Sequence, residues 1–98
     1  MNTRTKEAKN TLDALPFTGE TRILEPINPK LAPTQIECDL PHGYAVLVTP
    51  YDDGYDIQFE NRPSMRHRFD DTDFHGDAER VKTVNDIIGL IKTFEANN

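Results

Sequence analysis

Four of the seven prolines, Pro16, Pro26, Pro29 and Pro33, fall between residues 16 and 33 of this 98-residue chain. Proline has no backbone N–H to donate and pushes the residue before it out of the helical region, so this stretch excludes a continuous helix and a central strand alike. The chain therefore divides near residue 35. Residues 1–34 read as an N-terminal arm, partly disordered and partly extended. A short helix over 5–15 would carry Ala8, Leu12 and Leu15 on one narrow side, and a helix of that length is marginal in water unless it packs against something. Thr21–Glu25 reads as a brief edge strand, and Phe17, Ile23, Leu24 and Ile27 are the apolar residues through which the arm would dock. The low apolar content of residues 1–16 predicts that they are mobile and that the rest folds without them.

Residues 35–98 read as an α+β domain. Ile36, Cys38 and Leu40 alternate with Glu37 and Asp39, the period of a half-buried strand. Pro41-His42-Gly43 follows as a turn. Tyr44–Thr49 and Tyr55–Asn61 flank Tyr51-Asp52-Asp53-Gly54, whose Asp-Gly pair signals a hairpin. A two-residue loop at Asp53-Gly54 or a four-residue loop over Tyr51–Gly54 puts Val46 and Val48 on the face of Ile57 and Phe59. A three-residue loop would turn one strand over and set Val48 beside Gln58, so an even loop is expected. Pro50, which lacks a ladder donor next to the turn, favours four. Met65–Phe69 alternates again, with Met65, His67 and Phe69 on one face and Arg66 and Arg68 on the other. Thr83 and Asp86 fit a capping box ahead of Val84, Ile87, Ile88, Ile91 and Phe94 at helical spacing. Gly89 inside that helix suggests a close approach to the sheet. The expected architecture is a small antiparallel sheet of three to four strands with a C-terminal amphipathic helix packed on one face and a flexible N-terminal arm.

Leu, Ile, Val and Phe make up 23 of the 98 residues, enough for one modest core and no second domain. Charge is unevenly placed. Residues 1–34 hold five basic and four acidic side chains, residues 35–98 six basic and thirteen acidic, and the whole chain carries −6. A surface of that sign repels nucleic-acid phosphates and anionic membranes, so neither is an expected partner. No apolar run approaches the length of a membrane span. The single Cys38 and the lack of an Asn-x-Ser/Thr sequon make the cytoplasm the expected setting.

The segment Asp70–Glu79 is the densest in ligand-type side chains. Begun at Asp71, a calcium-loop pattern finds Asp73 third and Gly76 sixth, but His75 fifth and Lys82 twelfth, where a bidentate glutamate should close the site. The expected reading is a solvated acidic loop with no calcium affinity tighter than millimolar. His42, His67 and His75 match no zinc spacing with Cys38. Cys38 itself lies between Ile36 and Leu40 on a core-facing row with no basic neighbour to favour a thiolate. Ser64, the only serine, sits in Arg62-Pro63-Ser64-Met65 without a nucleophile-elbow motif. Arg66 and Arg68 would answer Asp56, Gln58 and Glu60 across a strand pair, with Tyr55 and Phe59 pointing the other way.

Asp77-Ala78-Glu79-Arg80-Val81-Lys82-Thr83-Val84-Asn85-Asp86-Ile87-Ile88 resembles the last loop and helix of acyl carrier proteins. The likeness covers a dozen positions and implies a shared way of capping a helix. The Asp-Ser-Leu motif that would carry that family's prosthetic arm is absent.

The expected function is that of a small acidic non-catalytic protein-binding domain, of the regulator, inhibitor or immunity type, without a cofactor. Its partner would be another protein of basic character, and the chain itself a monomer or weak homodimer. The candidate interaction surface comprises Arg66, Arg68, Asp70, Asp71, Asp73, His75 and Asp77. The alternative is a small enzyme, or a ligand or metal binder, using the Asp70–Glu79 loop with His67 and His75.

Overall fold

In a computed structural model of the chain, which describes residues 3–16, 18–28, 30–61, 73–74 and 77–97, the central feature is the hairpin of β3 (Tyr44–Tyr51) and β4 (Gly54–Asn61). Val46 stands opposite Phe59, Val48 opposite Ile57 and Pro50 opposite Tyr55, the register of the four-residue loop. The ladder then runs one pair further, to Tyr51 and Gly54, and turns on Asp52-Asp53. Gly54 thus follows the turn rather than forming it. It is needed for another reason: a Cβ there would lie 2.2 Å from the Val81 carbonyl oxygen.

Strand β2 (Gln35–Asp39) pairs antiparallel with β3, and β1 (Thr21–Leu24) pairs with β2 on its far side. Between β2 and β3, His42 (φ 65°) and Gly43 (φ 83°) take left-handed conformations. This lets the Leu40 N–H reach the Tyr44 carbonyl at 2.9 Å. On the other edge of the hairpin, β5 (Asp73–Phe74) and β6 (Glu79–Val81) both pair with β4, opposite Glu60–Asn61 and Tyr55–Ile57 respectively. The fold is α+β, as expected, but its sheet has more strands than the three to four read from alternation. Pieces of two and three residues are too short to show a period. The strand expected over 65–69 lies outside the described residues.

Helix α2 (Val84–Asn97) closes the core. Its start is the expected capping box: Asp86 N–H donates to Thr83 Oγ1 at 3.2 Å, and Asp86 Oδ2 accepts from the Thr83 N–H at 3.1 Å. Ile87, Ile91 and Phe94 are buried, with Val84 and Leu90 packed at their margin. The Phe94 ring stacks on Phe59 at 4.1 Å and meets Tyr44 edge-on at 5.0 Å. Gly89 makes no close approach: a Cβ there meets nothing within 4 Å.

The first 34 residues contribute to the same core. Helix α1 (Thr3–Ala14) buries Thr5, Ala8 and Leu12, and Ala8 and Leu12 join Ile36, Cys38, Val46 and Val48 in one cluster. The narrow face read from the sequence works because it is small: Thr and Ala let the helix lie close to the sheet. Pro16 follows its end, where the Thr18 hydroxyl donates to the Leu12 and Leu15 carbonyls at 2.9 and 3.0 Å. Residues 3–16, expected as a mobile, separable arm, thus pack through these side chains on the core of residues 36–57. Nor does Ile27 dock. It is fully exposed, as is most of Leu31.

Candidate functional site

The expected interaction surface is described only in part. Arg66, Arg68, Asp70, Asp71 and His75 lie outside the described residues, as does His67. Asp73 belongs to β5 opposite Asn61, and Asp77 is exposed ahead of β6. Asp56, which the sequence paired with Arg66 or Arg68, is held by Arg80 of β6. The Arg80 guanidinium bonds the carboxylates of Asp56 and Asp53 and lies 4.5 Å from the Tyr51 ring centroid. Among the described residues no group of three or more His, Cys, Asp and Glu is placed to hold a metal ion. No described helix is long and apolar enough to cross a membrane.

Cys38 sits fully buried, and its thiol accepts from Thr21 Oγ1 at 3.4 Å. Burial pushes the thiol pKa up, against the thiolate that nucleophilic chemistry requires.

The outer face of the sheet, away from both helices, carries the charged residues of β1 and β2 and most of those of β4. Strand alternation puts Arg22 of β1, Glu37 and Asp39 of β2, and Gln58 and Glu60 of β4 on it. Arg22 is the hub. Its Nε and Nη2 donate to Glu37 Oε1 at 3.1 and 2.9 Å, and Nη2 and Nη1 donate to the two oxygens of Asp39 at 2.7 and 3.1 Å. Nη1 also reaches Glu20 at 3.3 Å. Glu37 and Glu60 are only 2% and 3% exposed. Burial raises the Glu60 carboxyl above the usual carboxylate range, and the Arg22 charge opposes this. A raised acid pKa means that the native state holds this proton more tightly than the unfolded chain. The stability linked to it is therefore full at low pH and lost as pH rises through the folded value. Sequence alternation placed these residues on one face, but burial of two carboxylates on the nominally wet side of a sheet leaves no trace in a single strand.

Beyond β1 the sheet has an open edge: among the described residues β1 pairs with β2 alone. Glu20 and Asp39 stand at one end of that edge. At the other, the connection from Glu25 to Thr34 presents Ile27 (106% exposed) and Leu31 (83%) to solvent. Asn28 shapes this presentation, its side-chain oxygen accepting from the Lys30 N–H and its carbonyl from the Leu31 N–H, both at 3.0 Å. A free strand edge, two bare aliphatic side chains and flanking carboxylates lie together. Its apolar character predicts Ile27 inward, and nothing in a four-residue stretch of sequence marks its edge as free. Fold and site together define a small α+β chain with an acidic sheet face and an uncovered edge. No protein-family model matches this chain, and neither a curated protein nor a solved structure matches it.

Proposed function

We propose that this protein is a non-catalytic binding domain that takes an extended, basic segment of a partner protein along β1. The observation that carries the reading is the exposure of Ile27 and Leu31 beside the open edge. Large aliphatic side chains held outward by a shaped turn keep apolar area in water that a partner would cover, at about 25 cal/mol per Å². The β1 backbone supplies the hydrogen bonds of strand addition. Glu20, Glu25 and Asp39 favour lysine or arginine on the incoming segment and speed its encounter. A strand of four residues bounded by prolines offers a short ladder, which suits reversible association and limits pairing with like edges. The free thiol of Cys38 accords with a cytoplasmic setting. The resting state in this reading is a monomer or weak homodimer.

The test compares the wild-type chain with an Ile27→Asp/Leu31→Asp double variant, both immobilised and exposed to native lysate, with capture quantified by mass spectrometry. Each captured protein is then titrated, purified, against both forms. Both substitutions lie on exposed positions, so the thermal midpoint should be unchanged. The expected result is a partner with a basic extended segment whose binding the double variant loses and whose addition shifts the amide resonances of residues 21–24. Equal binding by both forms, or no specific capture, would overturn the proposal.

A further inference from the structure

The two ends of the open β1 edge differ in chemistry. Glu20 and Asp39 stand where β1 begins, their side chains 73% and 42% exposed, with the Arg22 guanidinium shared between them. Past the other end Ile27 and Leu31 are bare, and the exposed Glu25 and Lys30 balance in charge. Given strand addition at β1, the reading on which this rests, we infer that the segment taken there runs antiparallel to β1 and has two parts. Large apolar side chains stand toward its N-terminus and lysine or arginine toward its C-terminus. Between them lies a stretch matching the four residues of β1, roughly 13 Å of strand.

The hydrogen bonds of the sheet fix which β1 groups are free. Antiparallel neighbours alternate between pairs that exchange hydrogen bonds and pairs that do not. The Asp39 N–H donates to the Glu20 carbonyl at 3.0 Å, so Glu20 bonds toward β2, and by alternation Arg22 and Leu24 do the same. The far side of β2 agrees. The Leu40 N–H donates to the Tyr44 carbonyl at 2.9 Å, which sets Cys38 and Ile36 toward β3 and leaves Glu37 and Gln35 for β1. Thr21 and Ile23 therefore turn their N–H and C=O groups to the open edge. Their side chains lie on the core face, opposite Cys38 and Ile36, so incoming residues level with them extend an apolar row. Incoming residues level with Arg22 and Leu24 fall on the outer face.

The direction follows from the sheet. Every described strand pair is antiparallel, and antiparallel addition continues that ladder with the more stable bond geometry. Running that way, a segment passes Ile27 and Leu31 first and reaches Glu20 and Asp39 last. A parallel segment needs the opposite order.

Two peptides of one composition separate the cases: acetyl-Leu-Leu-Thr-Val-Thr-Val-Lys-Lys-amide and its reversed sequence. Each is titrated into the full chain and followed by amide resonances. The first should give saturable shifts at residues 20–24, 27 and 31, and the reversed peptide should bind about tenfold more weakly or worse. N-methylation of either valine, whose N–H meets the Thr21 or Ile23 carbonyl, should abolish binding. N-methylation of either threonine, whose N–H points away from β1, should leave it unchanged. Glu20→Gln should weaken the first peptide by about threefold, the share of one exposed ion pair. Equal affinity for the two peptides, or tighter binding of the reversed one, would overturn the antiparallel order, while shifts at residues 21–24 would still uphold strand addition. Equal losses from methylated valine and methylated threonine would overturn the assignment of the free edge groups. Saturable shifts from neither peptide would overturn the inference as a whole; strand addition then stands or falls on the captured partner and its loss in the Ile27→Asp/Leu31→Asp variant.

Discussion

A methyl group at Gly54 would meet the Val81 carbonyl oxygen at 2.2 Å, whereas one at Gly89 would meet nothing within 4 Å. The two glycines therefore predict substitutions of opposite sign. Gly89→Ala should stabilise the protein by about 1 kcal/mol, because alanine loses less backbone freedom in a helix and nothing must move to admit it. Gly54→Ala must push β4 and β6 apart at backbone atoms and should destabilise. Urea denaturation of both variants checks the pair; a loss of stability in Gly89→Ala would show that the helix needs its glycine. Sequence reasoning assigned both residues the wrong role, a turn at Gly54 and a close approach at Gly89. A glycine announces itself in a sequence, but the neighbour that requires it belongs to another element.

The hairpin register is the element-scale feature most fully legible beforehand. A slip of one residue would exchange Val46, Val48, Ile57 and Phe59 for Leu47, Gln58 and Glu60, so the burial pattern admits one solution. Its energetic counterpart is testable. Ile87→Ala, in the buried row of α2, should cost ~2–5 kcal/mol, and Phe59→Ala a comparable amount through its stacking on Phe94. Leu47→Ala, on the outer face opposite Gln58, should cost distinctly less. Chemical denaturation of the three decides it, and Leu47→Ala as the most damaging would contradict the facing. The capping box adds a pH dependence of known sign. Hydrogen bonds from Thr83 and Lys82 lower the Asp86 pKa, so its contribution is present above the ordinary carboxylate range and fades as pH falls through the depressed value.

At the scale of the whole molecule, α1 and α2 share one face of the sheet and the core runs beneath both. Removing residues 1–16 would strip Ala8 and Leu12 from Ile36, Cys38, Val46 and Val48, so the truncated chain should unfold at lower denaturant or fail to fold. Leu12→Ala, a milder test in the full chain, should cost ~2–5 kcal/mol because the side chain is wholly buried. A truncated chain as stable as the whole would restore the separable arm. Alternation over residues 36–40, 44–49 and 55–60, the Thr83–Asp86 cap and the apolar row of α2 were local patterns. Each was readable because the period of an element and its buried face are written into neighbouring residues. The proline-rich stretch rightly excluded continuous structure but said nothing of what lay on either side of it. Only the tertiary fold decided that a face as narrow as Thr5, Ala8 and Leu12 is buried, that β5 and β6 complete the edge of β4, and that Ile27 and Leu31 stay in water. It likewise decided that Arg4 of α1, Tyr55 of β4 and Lys82, between β6 and α2, line one cleft. Burial of this kind depends on which surfaces meet across the chain, and that pairing is a property of all the elements together.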